Sequence, residues 1–207
     1  MIVSALPLEN RFITHTDWEG YNRFLEAVGN RRIRVTYDGT MVELMTPSNR
    51  HEHLKLVLRN FLVCYLEERD LEFHSGGSTT FKQALKGQGL EPDDCYWIAA
   101  WHQVMGGWDS ESGPPPDLAI EVEVSRSVLD RLSIYAALAI PELWRVSEAG
   151  VVSIWRLGPD GYMPSPTSSS LPDIPLELIN EHLAKVGEVS ELRLLRSFRQ
   201  ALRKSEW

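Results

Sequence analysis

The residues best suited to chemistry lie in one short run, Pro116-Asp117-Leu118-Ala119-Ile120-Glu121-Val122-Glu123-Val124-Ser125. Read with the two-residue period of a strand, Leu118, Ile120, Val122 and Val124 fall on one face. Asp117, Ala119, Glu121 and Glu123 fall on the other. Acids two apart on one face repel, so the face is either wet or compensated by a metal ion, an arginine or a lysine. Carboxylates are what a hard cation such as Mg²⁺ takes as ligands, and such an ion polarises a phosphoryl oxygen and acidifies water. Period alone leaves a wet outer face and a metal site as equal readings.

A second acidic pair opens another strand candidate, Glu91-Pro92-Asp93-Asp94-Cys95-Tyr96. Alternation turns only one of the two aspartates toward a site and does not choose between them. Asp117 follows three prolines and either caps a loop or touches a metal; Glu123 shares the face of Glu121 but lies about 7 Å further along the strand. His51 and His53 flank Glu52, but residues two apart on a helix point roughly 200° apart and do not share one ion. His51 either lines a site or plays a solvated or capping part. Cys95 reads as a buried small residue, with no partner base in view for nucleophilic work.

These residues need a frame. Thr16-Asp17-Trp18-Glu19 fits a capping box, and Trp18, Tyr21, Phe24, Leu25 and Val28 form a helical stripe closed by Gly29. Asp38-Gly39 between two alternating runs predicts a hairpin. A long helix over 49–69 carries a broad apolar face of Leu54, Leu56, Val57, Leu58, Phe61, Leu62, Tyr65 and Leu66, which makes it central. The pattern then predicts strand, Gly76-Gly77 turn and strand over 71–82, and a strand over 90–99. A Gly, Ser and Pro-rich loop follows over 106–116. The acidic strand comes next, then a helix over 127–138, a meander from Glu142 to Tyr162, and two C-terminal helices broken near Gly187. Arg193, Arg196, Arg199, Arg203 and Lys204 interleave with Leu192, Leu195, Phe198 and Leu202, as in an amphipathic helix with a solvated basic face. A phosphate-contacting edge is the minority reading.

Length and composition set bounds. At 207 residues and 43 % apolar, the chain suffices for one folded domain with a sizeable core. Within it, 1–33 reads as an N-terminal helical extension, 34–163 as the core and 171–207 as the C-terminal helices. The formal charge of −8 argues against avid non-specific nucleic-acid binding, but not against an enzyme that meets phosphate through a bound metal. No apolar run approaches the roughly 20 residues of a membrane span, and no signal peptide is seen. Cys64 and Cys95 have neither zinc-type spacing nor a disulfide framework, so a cytoplasmic protein with reduced thiols is expected.

Several separate segments, in order, resemble the Uma-type restriction endonucleases of the PD-(D/E)XK nuclease-like superfamily. They are Asp38-Gly39, Pro47-Ser48-Asn49-Arg50-His51-Glu52, Gly76 to Phe81, Leu90 to Tyr96, Pro116 to Val122, and Tyr135 with Pro141-Glu142-Leu143-Trp144. The resemblance runs from about Asp38 to about Leu202. It implies one α/β domain of restriction-endonuclease-like fold, a mixed sheet flanked by helices. It implies Mg²⁺ or Mn²⁺ as cofactor, DNA as substrate and, by analogy of fold, a homodimer. Asp93 matches the family's strand acid after proline, which leaves Asp94 to solvent or to a turn; Glu121 matches the acid of the (D/E)XK strand, and Glu52 a helix carboxylate that assists. The strand triplet here is Glu121-Val122-Glu123, without lysine. The family places its displaced lysine four residues before a tyrosine, and that position holds Arg131. Arginine stabilises charge but does not act as a general base, its pKa lying above about 12. The alternative is a catalytically degenerate relative that binds nucleic acid or protein on the same fold.

Overall fold

The computed structural model describes residues 9–83, 86–109 and 112–204. They form two sheets and five α-helices. The first sheet is antiparallel throughout, with strands β1 (Asn10–His15), β2 (Arg34–Tyr37), β3 (Met41–Thr46), β5 (Phe81–Gln83) and β6 (Gln88–Leu90) in the order β1-β3-β2-β6-β5. The hairpin expected at Asp38-Gly39 joins β2 to β3. Asp38 Oδ1 accepts from the Thr40 and Met41 N–H groups, and Gly39 takes the positive φ of 105° that the turn requires. Helix α1 (Trp18–Val28) covers this sheet, where Tyr21 and Tyr37 stack 5.2 Å apart. Its cap is Asp17, one residue later than the capping-box pattern suggests, accepting from the Gly20 N–H. Strand β1, which the sequence did not suggest, precedes it.

The second sheet runs β11-β10-β9-β8-β7-β4, from β4 (His74–Ser75), β7 (Asp94–Trp97), β8 (Leu118–Glu123), β9 (Glu142–Ser147), β10 (Val152–Gly158) and β11 (Gly161–Ser165). Only β8 and β9 among these neighbours are parallel, with Ala119 opposite Leu143 and Glu121 opposite Arg145. A parallel pair needs a crossover, and α3 (Arg131–Ala137) supplies it. Strands β9 to β11 form the expected meander.

The parity read for β8 is the one observed. Leu118, Ile120 and Val122 enter a core built with α2 (Asn49–Glu68), α4 (Leu176–Leu183) and α5 (Glu191–Lys204). Ala119 joins a second cluster on the opposite face with Cys95, Trp97, Ile134, Tyr135 and Leu143. The acidic face is therefore not an open, wet surface: β8 is covered on both sides, and Glu121 is buried. Helix α2 is central, with Phe61 stacked on Phe198 of α5 at 4.4 Å, although Leu56 points outward. Helix α5 is amphipathic as expected, but it buries Leu194, Phe198 and Leu202 and leaves Leu192 exposed. Its Arg199 and Arg203 pair with Glu67 and Glu68 of α2.

Three expectations about elements need correction. The strand expected over 90–99 is two strands in different sheets. Pro92 has no N–H for a ladder, and the chain passes between sheets there. The strands expected around Gly76-Gly77 do not pair with each other; β4 pairs with β7 and β5 with β6. Gly76 is needed for close approach, since a Cβ there would lie 2.6 Å from both Cys95 Sγ and the Trp97 ring. The helix expected from 127 starts at Arg131. Ser127 is drawn into a side-chain contact with Glu43, and Asp130 caps the helix through the Ser133 N–H. No helix of the described residues is long and apolar enough to cross a membrane.

Candidate active site

Asp93 and Glu121 meet where β7 and β8 pair. Asp94 lies opposite Ile120, and the Asp93 N–H donates to the Ile120 carbonyl at 3.0 Å, which sets Asp93 beside Glu121. Both carboxylates are buried. Glu121 Oε2 accepts from Arg131 Nη2 at 2.8 Å and from the Tyr135 hydroxyl at 2.6 Å. Arg131 and Tyr135 are four apart on α3 and so share its inner face. Arg131 Nη1 also donates to Thr36 Oγ1 of β2 at 2.6 Å, which ties the two sheets together at the site. Burial holds Glu121 above the usual carboxylate range. Arg131 and the Tyr135 hydroxyl act against this, and the charge of Asp93 reinforces it.

Asp93 faces a different cation. Its Oδ1 lies 2.8 Å from His51 Nε2, its Oδ2 accepts from the Val122 N–H at 2.8 Å, and Arg34 Nε stands 3.6 Å away. His51 Nδ1 lies 2.8 Å from Glu9 Oε1, so both ring nitrogens face carboxylates. An imidazole donates on both sides only when doubly protonated. Burial disfavours that charge, but the hydrogen bonds to Asp93 and Glu9 outweigh it and raise the His51 pKa to about 9. Burial likewise opposes ionisation of Asp93, and the His51 hydrogen bond and charge, then Arg34 and the Val122 N–H, hold its pKa below the ordinary range.

A pH dependence follows. The His51 pKa is raised in the fold, so its stabilisation is complete below the unfolded value of about 6.5 and is lost as pH rises through about 9. In EDTA, urea unfolding is expected to show a loss of about 3 kcal/mol across that window. A flat profile would mean that His51 is neutral.

The structure gathers some of the expected residues and not others. Arg131 is on Glu121 and Asp93 is beside it. Glu52 pairs with Lys55 at 2.7 Å and with Arg32 at 3.2 Å, and its neighbour His51 is the α2 side chain on Asp93. His51 is thus neither solvated nor a capping group. Asp94 is not solvent-facing; it is buried and accepts from the Tyr96 hydroxyl at 2.6 Å. Asp117 accepts from the N–H groups of Ile98, Ala99 and Ala100, as a loop-capping acid does. Glu123 is held by both Nε and Nη2 of Arg145, at 2.9 and 2.7 Å, and Arg145 lies over the Trp155 ring. Cys95 is buried, and burial pushes its thiol pKa well up, which is unsuited to nucleophilic attack. Residues at the site with no role expected from sequence are Arg34, Glu9 and Glu91, and Tyr135 is expected only as the marker of the Arg131 position. Glu91 accepts from Thr80 Oγ1 at 2.7 Å and is held above the usual range by burial.

A cleft of about 840 Å³ opens at the C-terminal end of β8, with Glu121, Arg131 and Tyr135 in its wall beside Glu123, Arg126 and Arg145. Ligand sites in open α/β sheets favour such strand ends. Among the described residues no three His, Cys, Asp or Glu side chains surround a common point. The donor set nevertheless suits a Mg²⁺-type ion, which takes one or two carboxylates and completes its shell with water and substrate phosphate. Glu121 receives both hydrogen bonds on Oε2 alone, and the mutual repulsion of Asp93 and Glu121 is what a cation relieves.

The fold is similar to that of a crystal structure from Anabaena variabilis described as "a putative nuclease belonging to DUF820", with a TM-score of 0.52 at 12 % identity. The match covers 86 % of this chain and 98 % of that one, and at this identity it concerns the fold. No curated protein matches the chain. A family model described as "Uma2: Putative restriction endonuclease" matches residues 18–184, which takes in α1, both sheets' central strands and every residue on Glu121. Over that span, the chain belongs to the Uma2 restriction-endonuclease family.

Proposed function

We propose that the protein is a divalent-metal-dependent endonuclease that hydrolyses phosphodiester bonds in DNA. The observation that carries this reading is the buried pair Asp93 and Glu121, side by side on adjacent strands, with Glu121 in the wall of the cleft. Family membership supports it, since restriction-endonuclease-like proteins generally use divalent ions. Asp93 and Glu121 would hold Mg²⁺ or Mn²⁺, which supplies Lewis acidity toward the phosphoryl oxygen and acidifies water. Arg131 stabilises negative charge at the attacked phosphate, and it takes no part as a base. Tyr135 orients Glu121 through its hydroxyl. Arg126 and Arg145 line the cleft and would meet flanking phosphates, Arg145 on leaving Glu123. Glu52 joins the site only on leaving Lys55 and Arg32. A homodimer would bring two such sites to the two strands of a duplex.

The test is cleavage of plasmid and single-stranded DNA with Mg²⁺ and with Mn²⁺ by wild type, Asp93→Asn and Arg131→Lys. Wild type is expected to cleave, Asp93→Asn to be silent, and Arg131→Lys to retain activity. Equal cleavage by wild type and Asp93→Asn would remove Asp93 from the site. The second reading, a degenerate nuclease fold that only binds, is favoured by one feature: Arg131 already closes on Glu121. A silent wild type with an active Arg131→Lys would establish it.

A further inference from the structure

We infer that Glu9 and Arg11, beside and within the first strand, are positioning residues that set both acids of the site, an inference that rests on the nuclease reading. They lie before residue 18, where the family match begins. Strand β1 pairs along β3, Asn10 opposite Thr46 through His15 opposite Met41, and its Arg11 reaches Ser125, just past the end of β8. From there Arg11 makes four contacts. Its Nε donates to Ser125 Oγ at 3.0 Å, its Nη2 to the Ser125 carbonyl at 3.1 Å and to Glu9 Oε2 at 3.1 Å, and its Nη1 to Glu43 Oε1 at 2.6 Å. Glu43 is buried on β3 and also accepts from Ser127 Oγ at 3.0 Å. Ser125 Oγ donates to Glu9 as well.

Arg11 thus holds the turn 125–127 at both ends, one directly and one through Glu43. That turn lines the cleft and leads into α3, which carries Arg131 and Tyr135 onto Glu121. Glu9 acts on the other acid: it holds His51, and His51 holds Asp93. Glu9 and the start of β1 therefore brace both carboxylates, through the histidine and through the turn. Arg11 has the fork geometry that this needs, since no single ammonium donates to a carbonyl, a hydroxyl and two carboxylates in fixed directions.

The test uses the full-length protein as wild type, Arg11→Ala, Arg11→Lys, Glu9→Gln and, as a control for loss of an ion pair elsewhere, Arg199→Ala. Amide hydrogen exchange is followed by mass spectrometry, Mn²⁺ affinity by calorimetry, and DNA cleavage as separate kcat and KM. Arg11→Ala is expected to speed exchange over 124–131 by about tenfold with β9 and β10 unchanged. It should also weaken Mn²⁺ binding by about ten- to a hundredfold and lower kcat more than it raises KM. Arg11→Lys should recover part of each effect, Glu9→Gln should weaken Mn²⁺ binding with exchange over 124–131 less affected, and Arg199→Ala should change none of them. Wild-type exchange over 124–131 in Arg11→Ala would overturn the inference, as would acceleration spread evenly over the chain. A wild type that neither binds Mn²⁺ nor cleaves would sink the nuclease reading, while the exchange result would still decide whether β1 positions the turn.

Discussion

Glu121→Gln is expected to lower metal-dependent cleavage by about 10³-fold or more, because in the proposed site Glu121 would be a ligand of the ion that supplies several kcal/mol of transition-state charge stabilisation. The amide keeps the shape of the carboxylate and still accepts from Tyr135, so the loss should fall on kcat with the fold retained. The substitution has a second consequence. Arg131 is about nine-tenths buried in the wall of the site, and Glu121 is its only carboxylate partner among the described residues. Removing the carboxylate paired with that guanidinium costs about 3 kcal/mol of stability, at the low end for breaking a buried pair because the charge of Asp93 still acts on Arg131. Cleavage rates at saturating Mn²⁺ and urea unfolding of the same preparation separate the two effects. A Glu121→Gln protein that cleaves as fast as wild type would place the metal elsewhere.

The second large effect is expected at His51. Replacing it with leucine leaves the carboxylates of Glu9 and Asp93, both buried, facing a side chain that neutralises neither. Such an uncompensated pair costs about 3–5 kcal/mol. For a chain of this size that lowers the melting temperature by about 10 °C. The penalty should shrink at acid pH, where the two carboxylates protonate, and this marks the effect as electrostatic rather than as lost packing. A loss below about 1 kcal/mol at neutral pH would mean that His51 is a neutral spacer and that Arg34 alone balances Asp93.

Much of the arrangement at the candidate site is legible in the sequence because its parts are local. The two-residue period of β8 separates Glu121 from the apolar side chains that face α2, and that parity holds in the structure. The four-residue step from Arg131 to Tyr135 is one helical turn, so both reach the same carboxylate. Asp93 is legible through the family resemblance, as the strand acid after proline. The same proline also hid something: it ends one strand and lets the next begin in another sheet, whereas the apolar pattern of 90–99 reads as continuous. Alternation puts Asp94 on a wet face only if β7 has one, and β7 is covered on both sides.

The parts that were not legible are the long-range ones. Glu9 and His51 are 42 residues apart, as are His51 and Asp93, and Arg11 is 114 residues from Ser125. Asn10 to His15 mixes polar and apolar side chains without strict alternation, so neither the strand nor its pairing with β3 is signalled locally. His51 is a buried cation only because two acids from distant segments converge on it. Helical spacing correctly separates it from His53, but leaves open which of the two turns inward.

The measurement that bears most directly on the function is calorimetric titration of Mn²⁺ into wild type and into the double variant Asp93→Asn/Glu121→Gln, each checked for folding by near-UV circular dichroism. Wild type is expected to bind, and the folded double variant to bind at least about a hundredfold more weakly, since both carboxylates that would meet the ion are gone. Equal Mn²⁺ binding by the two proteins would contradict a metal centre at Asp93 and Glu121, and with it the nuclease mechanism built on that pair.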